Sequence, residues 1–245
     1  MQKVLAYPLS LLFNLCFLLT LIIFHPILWI SNTLFGKKAL HNSVTLLQFF
    51  LMRCYNILGI RFTFNNPFSI DHNLPVIIIA NHQSIADIPP IMWYLSKLQP
   101  KFISKIELGK GIPSVSYNLR QGGAVLIDRN NPRQSIKALF DFSKRLNTTN
   151  GTAVIFPEGT RSKDGVPKTF QKRGLQVLFK NMPSAMVVPI SINNSWKTVS
   201  YGKFPMGLGA HITFTVHKPI KNTTFTDKEA LIEQIETTIK DGIHS

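Results

Sequence analysis

Residues 4–36 form an apolar run that contains no Asp, Glu, Lys or Arg. Its densest part, residues 9–30, is long enough to span a bilayer, because about 20 apolar residues suffice for a spanning helix. His25-Pro26 interrupts this part, and a proline removes a backbone hydrogen bond and clashes with the preceding turn. The run therefore predicts either one kinked spanning helix or a helix that enters one leaflet and turns back near Pro26.

A third interpretation of this run is a signal peptide with Lys3 as its basic start. Two features argue against it: no small-x-small cleavage site follows, and the apolar run continues through Trp29. Gly36-Lys37-Lys38 closes the run, and residues 44–60 then carry apolar side chains at helical spacing. This second helix is expected either to belong to the core or to lie on the membrane beside the first segment.

The rest of the chain alternates between strand and helix patterns, and most strand patterns are continuous β-branched runs typical of buried strands. The predicted strands are residues 75–80, 123–127, 152–156, 185–190 and 211–217. The predicted helices are residues 132–145, residues 172–181 and a last helix that opens on a capping box at Thr226-Asp227-Lys228-Glu229. We therefore predict a membrane-associated helical segment over residues 1–60. An α/β domain with a mixed central sheet flanked by helices follows over residues 61–245.

The charge of the chain is strongly positive and unevenly distributed. Lys and Arg outnumber Asp and Glu by 27 to 12, which gives a net charge of +15. Residues 101–180 hold 15 Lys and Arg against 5 Asp and Glu, whereas Lys3 is the only charged residue before Lys37. An apolar start followed by a basic body favours a membrane surface as the anionic partner. A nucleic-acid-binding protein would need aromatic platforms among the cations or a recognisable motif, and we find neither.

A candidate catalytic motif, Asn81-His82-Gln83-Ser84-Ile85-Ala86-Asp87, directly follows the strand predicted over residues 75–80. Ligands bind at strand ends in α/β sheets. Across a strand-to-helix turn, Asp87 can fix the tautomer of His82, which leaves a ring nitrogen able to take a proton from a hydroxyl. The structural alternative is that Ser84 caps a helix, His82 packs in a turn and Asp87 is solvated.

Two further stretches could bind phosphate. Phe156-Pro157-Glu158-Gly159-Thr160-Arg161-Ser162 follows another predicted strand, and within it Gly159 permits a close backbone approach while Arg161 offers a planar fork. Residues 105–129 alternate small residues with cations. Taken separately, each stretch could equally be a turn or a loop with solvated charges. Cys16 and Cys54 form neither a disulfide framework nor a zinc cluster.

Taken together and in this order, these segments resemble the glycerolipid acyltransferase family, in particular its 1-acylglycerol-3-phosphate O-acyltransferases. The resemblance covers about residues 60–220 and rests on four blocks. The matched residues are Asn81, His82 and Asp87 in the first block, Lys105, Glu107, Leu108 and Ile127-Asp128-Arg129 in the second, residues 156–162 in the third and Val188-Pro189-Ile190 in the fourth. The second block departs from the family, because Gly109-Lys110-Gly111-Ile112 precedes Pro113 where the family often has an earlier proline.

The resemblance implies that His82 is the general base, removing the proton from the free hydroxyl of a lysophospholipid that then attacks an acyl thioester directly. Asp87 would hold His82 and stabilise the imidazolium, as in a Ser-His-Asp relay without the serine. No covalent acyl-enzyme is implied, and the sequence has no Gly-x-Ser-x-Gly elbow to present a nucleophilic serine. The product would be phosphatidic acid, made in phospholipid biosynthesis.

The resemblance also implies that Arg161 binds the phosphate of the acceptor. The other candidate substrate-binding residues are Glu158, Gly159, Thr160, Lys105 and Arg129. Backbone N–H groups near Gly122-Gly123 or Gly159 are candidates for stabilising an oxyanion. We expect no metal and no cofactor, because the His residues and carboxylates form no ligand spacing. The co-substrate would be an acyl-CoA or an acyl carrier protein thioester.

The expected partners are membrane lipids, a lysophospholipid acceptor and the thioester donor, without nucleic acid. Lys37-Lys38 and the basic body predict that the catalytic domain lies on the cytoplasmic face of a membrane. Two alternatives remain open. The acceptor is another lysolipid, such as lysophosphatidylglycerol, a lysophosphoinositide or a lyso-ornithine lipid, or the chain is a non-catalytic lipid-binding scaffold on the same fold.

Overall fold

A computed structural model of the chain describes residues 2–244. At its centre lies an eight-stranded sheet with the order β1-β7-β6-β2-β5-β3-β4, and β8 pairs with β6. The strands are β1 (Arg61–Asn65), β2 (Val76–Ala80), β3 (Lys101–Lys105), β4 (Val125–Ile127), β5 (Thr152–Ile155), β6 (Met186–Asn193), β7 (His211–Val216) and β8 (Ile220–Lys221). The helices are α1 (Gln2–Asn56), α2 (Ile88–Tyr94), α3 (Val115–Gln121), α4 (Pro132–Thr148), α5 (Lys172–Asn181) and α6 (Lys228–Asp241).

The sheet is mixed, as the sequence predicts. Strands β6, β2, β5, β3 and β4 run parallel to one another, while β7 is antiparallel to β6 and β1 is parallel to β7. The parallel strands therefore end at one edge of the sheet, which we call the C-terminal edge. The five predicted strands are confirmed as β2, β4, β5, β6 and β7, whereas β1, β3 and β8 were not predicted from the sequence.

Helices cover both faces of the sheet, so the domain has three layers. The central strand β2 shows why its sequence is continuously apolar: all five of its residues are buried. Ile78 packs into the cluster that includes residues of α1 and α2, while Ile77 and Ile79 pack into the cluster that includes residues of α4, α5 and α6. This arrangement confirms the predicted sheet flanked by helices.

The last helix begins one residue later than its predicted capping box implies. The N-cap of α6 is Asp227, whose carboxylate accepts a hydrogen bond from Glu229 N at 2.8 Å. The prediction of a box led by Thr226 is therefore wrong. An Asp carboxylate is at least as good a cap as a Thr hydroxyl, so the helix starts where the carboxylate can reach an unpaired N–H.

The N-terminal segment folds back at Gly36 and not near Pro26. Helix α1 is broken at Gly36, where φ is 78° and ψ is −169°, whereas Pro26 lies inside the helix. Only glycine adopts this backbone conformation readily, because it has no Cβ. The predicted turn near Pro26 is therefore wrong: a proline can be accommodated as a kink, but the reversal of the chain needs the glycine.

The two arms of α1, residues 2–35 and 37–56, pack antiparallel as a helical hairpin. Their contacts pair Phe13 with Tyr55 (ring centroids 4.9 Å apart), Thr20 with Cys54 (3.6 Å), Phe24 with Phe50 (5.6 Å) and Ser31 with Ser43 (2.7 Å). Cys16 and Cys54 are free thiols. The helix predicted over residues 44–60 is the second arm, which ends at Asn56 and buries Leu47, Leu51 and Tyr55 in the core.

The first arm is tied to the domain at several levels along its length. The hydrogen bonds run from Met206 N to Ser10 Oγ (2.8 Å), from Ser114 Oγ to Leu21 O (2.5 Å), from Ser114 N to His25 Nδ1 (3.0 Å) and from Asn32 Nδ2 to Tyr117 Oη (3.0 Å). Within the described residues, α1 is the one helix long and apolar enough to cross a membrane by length and composition. These contacts hold it beside the domain.

The opposite side of the first arm is an exposed apolar surface, which we call the apolar stripe. Its side chains are 39–73% exposed. They are Val4, Leu5, Tyr7, Leu11, Leu12, Leu15, Leu18, Leu19, Ile22, Ile23, Ile27, Trp29, Ile30, Leu34 and Phe35. An apolar surface of this extent is characteristic of a membrane or protein contact.

Replacing Gly36 with alanine should destabilise the hairpin. Nothing lies within 4 Å of the position that a Cβ would occupy, so the penalty is conformational and not steric. We expect Gly36→Ala to lower the free energy of unfolding by about 1–3 kcal/mol, the usual penalty for such a backbone conformation. Urea unfolding in detergent checks this, with Ala39→Ser as the control. Equal stability of Gly36→Ala and the wild type would contradict the assigned reversal.

Candidate active site

The sheet topology brings the sequence motifs to its C-terminal edge. His82 follows the end of β2, and the stretch 156–162 follows the end of β5, the next strand in the sheet. Lys105 is the last residue of β3, and Arg129 lies two residues after the end of β4. Because parallel strands end at the same edge, four segments distant in sequence face the same side of the domain.

His82 and Asp87 form the pair that the sequence predicts. His82 Nδ1 lies 2.7 Å from Asp87 Oδ2, and the two side chains are 17% and 0% exposed. The same carboxylate oxygen accepts hydrogen bonds from Gln83 N (2.7 Å) and Ser84 N (2.9 Å). The structural alternative for Asp87, a solvated carboxylate, is therefore wrong.

The hydrogen bonds of Asp87 define the tautomer of His82. Asp87 Oδ2 accepts hydrogen bonds from two backbone N–H groups and therefore also acts as the acceptor toward His82. The proton between the two side chains thus belongs to Nδ1 of His82. Nε2 is then left with its lone pair. The imidazole also stacks on Phe156, with ring centroids 4.2 Å apart and an angle of 13° between the planes. The ring is thus oriented by a carboxylate at its edge and an aromatic face beneath it.

The loop after β5 holds the backbone of His82 on both sides. His82 N donates to Glu158 Oε1 at 2.7 Å, and His82 O accepts from Ser162 N at 2.8 Å. The second oxygen of Glu158 accepts from Lys168 N at 2.9 Å. Burial raises the pKa of the Glu158 carboxyl, and the hydrogen bonds from Lys168 and His82 partly oppose this rise. Both carboxylate oxygens therefore bind backbone, which fits a positioning role better than direct contact with substrate.

The residues beside His82 connect it to β6 and the segment after it. Asn81 donates from Nδ2 to Ile192 O (2.8 Å) and accepts at Oδ1 from Ile192 N (2.7 Å), so its side chain continues the pairing of β2 with β6. Ser84 Oγ accepts from Ala86 N at 3.0 Å, which confirms Ser84 as a helix cap. The Ser84 hydroxyl also lies 2.5 Å from that of Ser195.

Gly159, Thr160 and Arg161 form the turn that follows. Gly159 has a φ of +71°, which accounts for a glycine at this position. Thr160 Oγ1 accepts from Lys168 Nζ at 2.8 Å, and the same ammonium donates to Arg161 O at 3.1 Å. The side chain of Arg161 is exposed, one residue before the Ser162 N–H that binds His82.

The other predicted cations also lie at this edge. Lys105 and Arg129 are both exposed. The guanidinium of Arg129 is nevertheless partly desolvated, which lowers its pKa, and the charge of nearby Glu107 opposes this change. The second block therefore places the carboxylate of Glu107 within electrostatic range of the Arg129 guanidinium.

Of the two predicted regions for an oxyanion donor, the one at Gly122-Gly123 is wrong, and in the other the N–H of Gly159 itself is already used. Gly122-Gly123 precedes β4 and so lies at the opposite edge of the sheet, with the position of a Gly123 Cβ 3.6 Å from the side chain of Lys101, the first residue of β3. Gly159 N already donates to Phe156 O at 3.1 Å within its own turn. A glycine pair in a sequence does not reveal which end of a strand it occupies, nor whether its N–H groups are used.

Three residues contribute to the site although little in the sequence indicates their role. Phe156 opens the third block, but only the fold shows that its ring lies under His82. Lys168 is separated in sequence from the block that it supports. Tyr55, on the second arm, is buried and lies within electrostatic range of both Asp87 and Arg161. In the described part of the chain, no group of three His, Cys, Asp or Glu side chains could hold a metal ion.

The chain belongs to the acyltransferase family, whose sequence pattern matches residues 61–193. This range contains the motif after β2, the second block and the loop after β5. It ends with β6, the strand to which Asn81 is bound.

Among its relatives is the chloroplast 1-acyl-sn-glycerol-3-phosphate acyltransferase of Arabidopsis thaliana, 31% identical over 146 residues, which make up 60% of this chain and 39% of that one. The 1-acyl-sn-glycerol-3-phosphate acyltransferase of Helicobacter pylori is 35% identical over 133 residues, 51% of this chain and 54% of that one. The chain thus spans about half the length or less of these curated relatives. The crystal structure of the LPA acyltransferase PlsC from Thermotoga maritima superposes with a TM-score of 0.82 at 25% identity and covers 99% of this chain and 96% of that one.

Removing the side chain of Asn81 should destabilise the site. Asn81→Ala leaves both the N–H and the C=O of Ile192 without their partners in a buried setting. We expect the free energy of unfolding to fall by about 2–6 kcal/mol, given about 1–3 kcal/mol for each of the two unsatisfied groups. Thermal unfolding of the purified protein measures this, with Asn65→Ala at the exposed end of β1 as the control. A decrease no larger than that of the control would refute the link between β2 and β6.

Proposed function

We propose that the chain transfers a fatty acyl group from an acyl thioester to the free hydroxyl of 1-acylglycerol-3-phosphate, giving phosphatidic acid. The observation that carries this proposal is the orientation of His82. Its Nδ1 is bound to the buried Asp87 carboxylate, and its Nε2 lone pair is available at the C-terminal edge. The names of the matched relatives and of the superposed structure support the acceptor.

The reaction needs one proton to move through the imidazole. The acceptor hydroxyl oxygen attacks the thioester carbonyl carbon while its proton passes to Nε2 of His82. The carbon–sulfur bond then breaks, and the leaving thiolate takes the proton back from the imidazolium. Asp87 stabilises the imidazolium in between, since the carboxylate lies 2.7 Å from Nδ1. The step balances without a covalent acyl-enzyme.

Arg161 is the proposed ligand of the acceptor phosphate. Its guanidinium is exposed on the loop whose Glu158 side chain and Ser162 N–H hold His82. A phosphate bound there would be fixed relative to the imidazole by a few backbone bonds. Guanidinium and phosphate match in shape and charge, which favours an acceptor with a terminal phosphate over one without. Lys105 and Arg129 are further candidates for the same charge.

We propose that the hairpin lies in one leaflet and does not span the bilayer. The hydrogen bonds at Ser10, Leu21, His25 and Asn32 hold the first arm against the domain, and the apolar stripe faces away from it. Such an arm buries its outer face in lipid without leaving the domain. The net charge of +15 would add attraction to anionic headgroups on the cytoplasmic face, about 1 kcal/mol per cation near the surface.

Substitution of the proposed base tests the reaction. We expect His82→Ala to lower thiol release by at least about 100-fold, the usual contribution of a general base, with membrane binding unchanged. The assay follows thiol release from the detergent-solubilised protein with lysophosphatidic acid and either an acyl-CoA or an acyl carrier protein thioester. His72→Ala, in the exposed loop before β2, is the control.

The same assay separates the alternatives. Thiol release confined to another lysolipid would preserve the mechanism and change the acceptor. Unchanged thiol release in His82→Ala would refute the proposed base. If the wild type releases no thiol with either donor and any acceptor, a lipid-binding scaffold would be favoured.

Removal of the proposed phosphate ligand should affect one substrate more than the other. We expect Arg161→Ala to raise the acceptor KM by about 10-fold or more, because a hydrogen bond to a charged group contributes about 1.5–3 kcal/mol. The donor KM should change less. Steady-state kinetics with each substrate varied in turn measures both, and Lys163→Ala is the matched control on the same loop. An unchanged acceptor KM would exclude Arg161 from this role.

Polar substitutions on the apolar stripe should release the protein from membranes. Leu15 and Ile22 are 53% and 47% exposed. Burying the exposed half of each in lipid should contribute about 1 kcal/mol, since full burial of such a side chain contributes about 1.5–3 kcal/mol. We expect Leu15→Gln with Ile22→Gln to reduce the vesicle-bound fraction in a flotation assay, and the release should be more complete at high salt. Ile136→Gln with Val166→Gln is the control, at two exposed positions outside the hairpin. Equal release by the two pairs would contradict the proposed orientation.

A further inference from the structure

A second concave site lies away from the C-terminal edge, between the second arm and the segment that follows α2. It is a cavity of about 470 Å³. The second arm lines it with Lys38, His41, Asn42, Thr45 and Leu46, and the opposite wall consists of Trp93, Ser96, Lys97 and Gln99. On the helix, the lining positions recur at intervals of three and four residues, so they share one face of the arm.

The polar part of this cavity is positively charged. Lys38 and Lys97 line it, and none of its described lining residues is a carboxylate. His41 also lines the cavity, and burial lowers the pKa of its imidazole, as does the nearby charge of Lys101. Burial lowers the pKa of Lys101, and the charges of Arg145 and Lys37 lower it further, so cations also accumulate beside the cavity. An anion would relieve this mutual repulsion.

The remaining wall of the cavity is apolar and adjoins the apolar surface of the hairpin. Leu46 is 47% exposed, and Trp93 packs against Phe49 with ring centroids 4.9 Å apart. One turn beyond Leu46, Phe50 is exposed and contacts Phe24 on the first arm. A cationic end next to an exposed apolar surface matches a molecule with a phosphate at one end and hydrocarbon at the other.

The position of the cavity separates it from the proposed reaction. Lys101, beside the cavity, is the first residue of β3, whereas His82 follows the last residue of β2. Both strands run parallel to β5, so their starts and ends lie at opposite edges of the sheet. A five-residue strand alone separates the two edges by about 16 Å. A phosphate bound between Lys38 and Lys97 would not present its lipid to His82.

We propose that this cavity binds the headgroup of a net-anionic membrane phospholipid, held as a resident lipid and not as a substrate. Lys38 and Lys97 bind the phosphate, and the lipid chains follow Leu46 and Phe50 onto the apolar surface of the hairpin. The proposal rests on the membrane position proposed above and does not depend on acyl transfer. The hairpin is thereby attached at its bend by a specific lipid as well as by its apolar stripe.

Trp93 provides a local probe of this site. The full-length protein in neutral detergent micelles is titrated with phosphatidylglycerol brominated on its acyl chains, and in parallel with equally brominated phosphatidylcholine. The Trp93 signal is the difference between the wild type and Trp93→Phe. We expect saturable quenching by phosphatidylglycerol at a low mole fraction, and much weaker quenching by phosphatidylcholine.

The variants decide whether the cavity is responsible. Lys38→Gln with Lys97→Gln should raise the half-saturating fraction of phosphatidylglycerol by about 30-fold, the effect expected for two cations near an anionic headgroup. Lys144→Gln with Lys180→Gln removes the same charge from α4 and α5, on the other face of the sheet, and should leave it nearly unchanged. Equal quenching by the two lipids, or an equal shift in the two double variants, would overturn the proposal.

The acyl-transfer assay distinguishes failure of the proposed lipid site from failure of the proposed reaction. Selective quenching in a protein that transfers no acyl group would support the lipid site and refute the reaction. Acyl transfer in a protein whose Trp93 does not distinguish the two lipids would refute the lipid site and support the reaction.

Discussion

The two hydrogen bonds that hold the backbone of His82 are the constraint on which the site depends. Glu158 accepts from the N–H of His82, and Ser162 donates to its C=O, so one loop fixes the residue from both sides. Its imidazole is then oriented by Asp87 and Phe156. A proton acceptor must be correctly placed before its basicity matters, and here backbone bonds from the neighbouring strand end supply that placement.

The same loop connects His82 to Arg161, the proposed ligand of the acceptor phosphate. Thr160 and Arg161 lie in the turn between Glu158 and Ser162. Lys168 stabilises this turn through its backbone N–H, which binds Glu158, and its ammonium, which binds Thr160 and the carbonyl of Arg161. The position of a phosphate bound to Arg161 would therefore be fixed relative to His82 by a few hydrogen bonds. The hairpin reaches this region as well, since Tyr55 lies near Asp87 and Arg161. The hairpin and the His82–Asp87 pair thus meet at one edge of the sheet.

Much of this arrangement could be predicted from the sequence, because apolar β-branched runs mark buried strands and the motifs follow them directly. The His82–Asp87 pair and the Ser84 cap are local, so their spacing alone indicated them. Other expectations failed where the outcome depends on distant contacts. A turn near Pro26 was one interpretation of the apolar run, yet the chain reverses at Gly36. Gly122-Gly123 was one of two candidate regions for an oxyanion donor, yet it lies at the other edge of the sheet.

The sequence by itself determined the α/β class, the apolar start and the basic body, since each depends on composition or periodicity. The residues of the four blocks were identified by their resemblance to the family. Only the tertiary structure decided which of these residues meet. Strand order places the third block beside His82 and the second block farther along the same edge of the sheet. In the fold, both oxygens of the Glu158 carboxylate accept hydrogen bonds from backbone N–H groups. The tertiary structure also decided that the first arm packs along the domain. The physical reason is that hydrogen-bond partners and burial are set by neighbours distant in sequence, which no local pattern specifies.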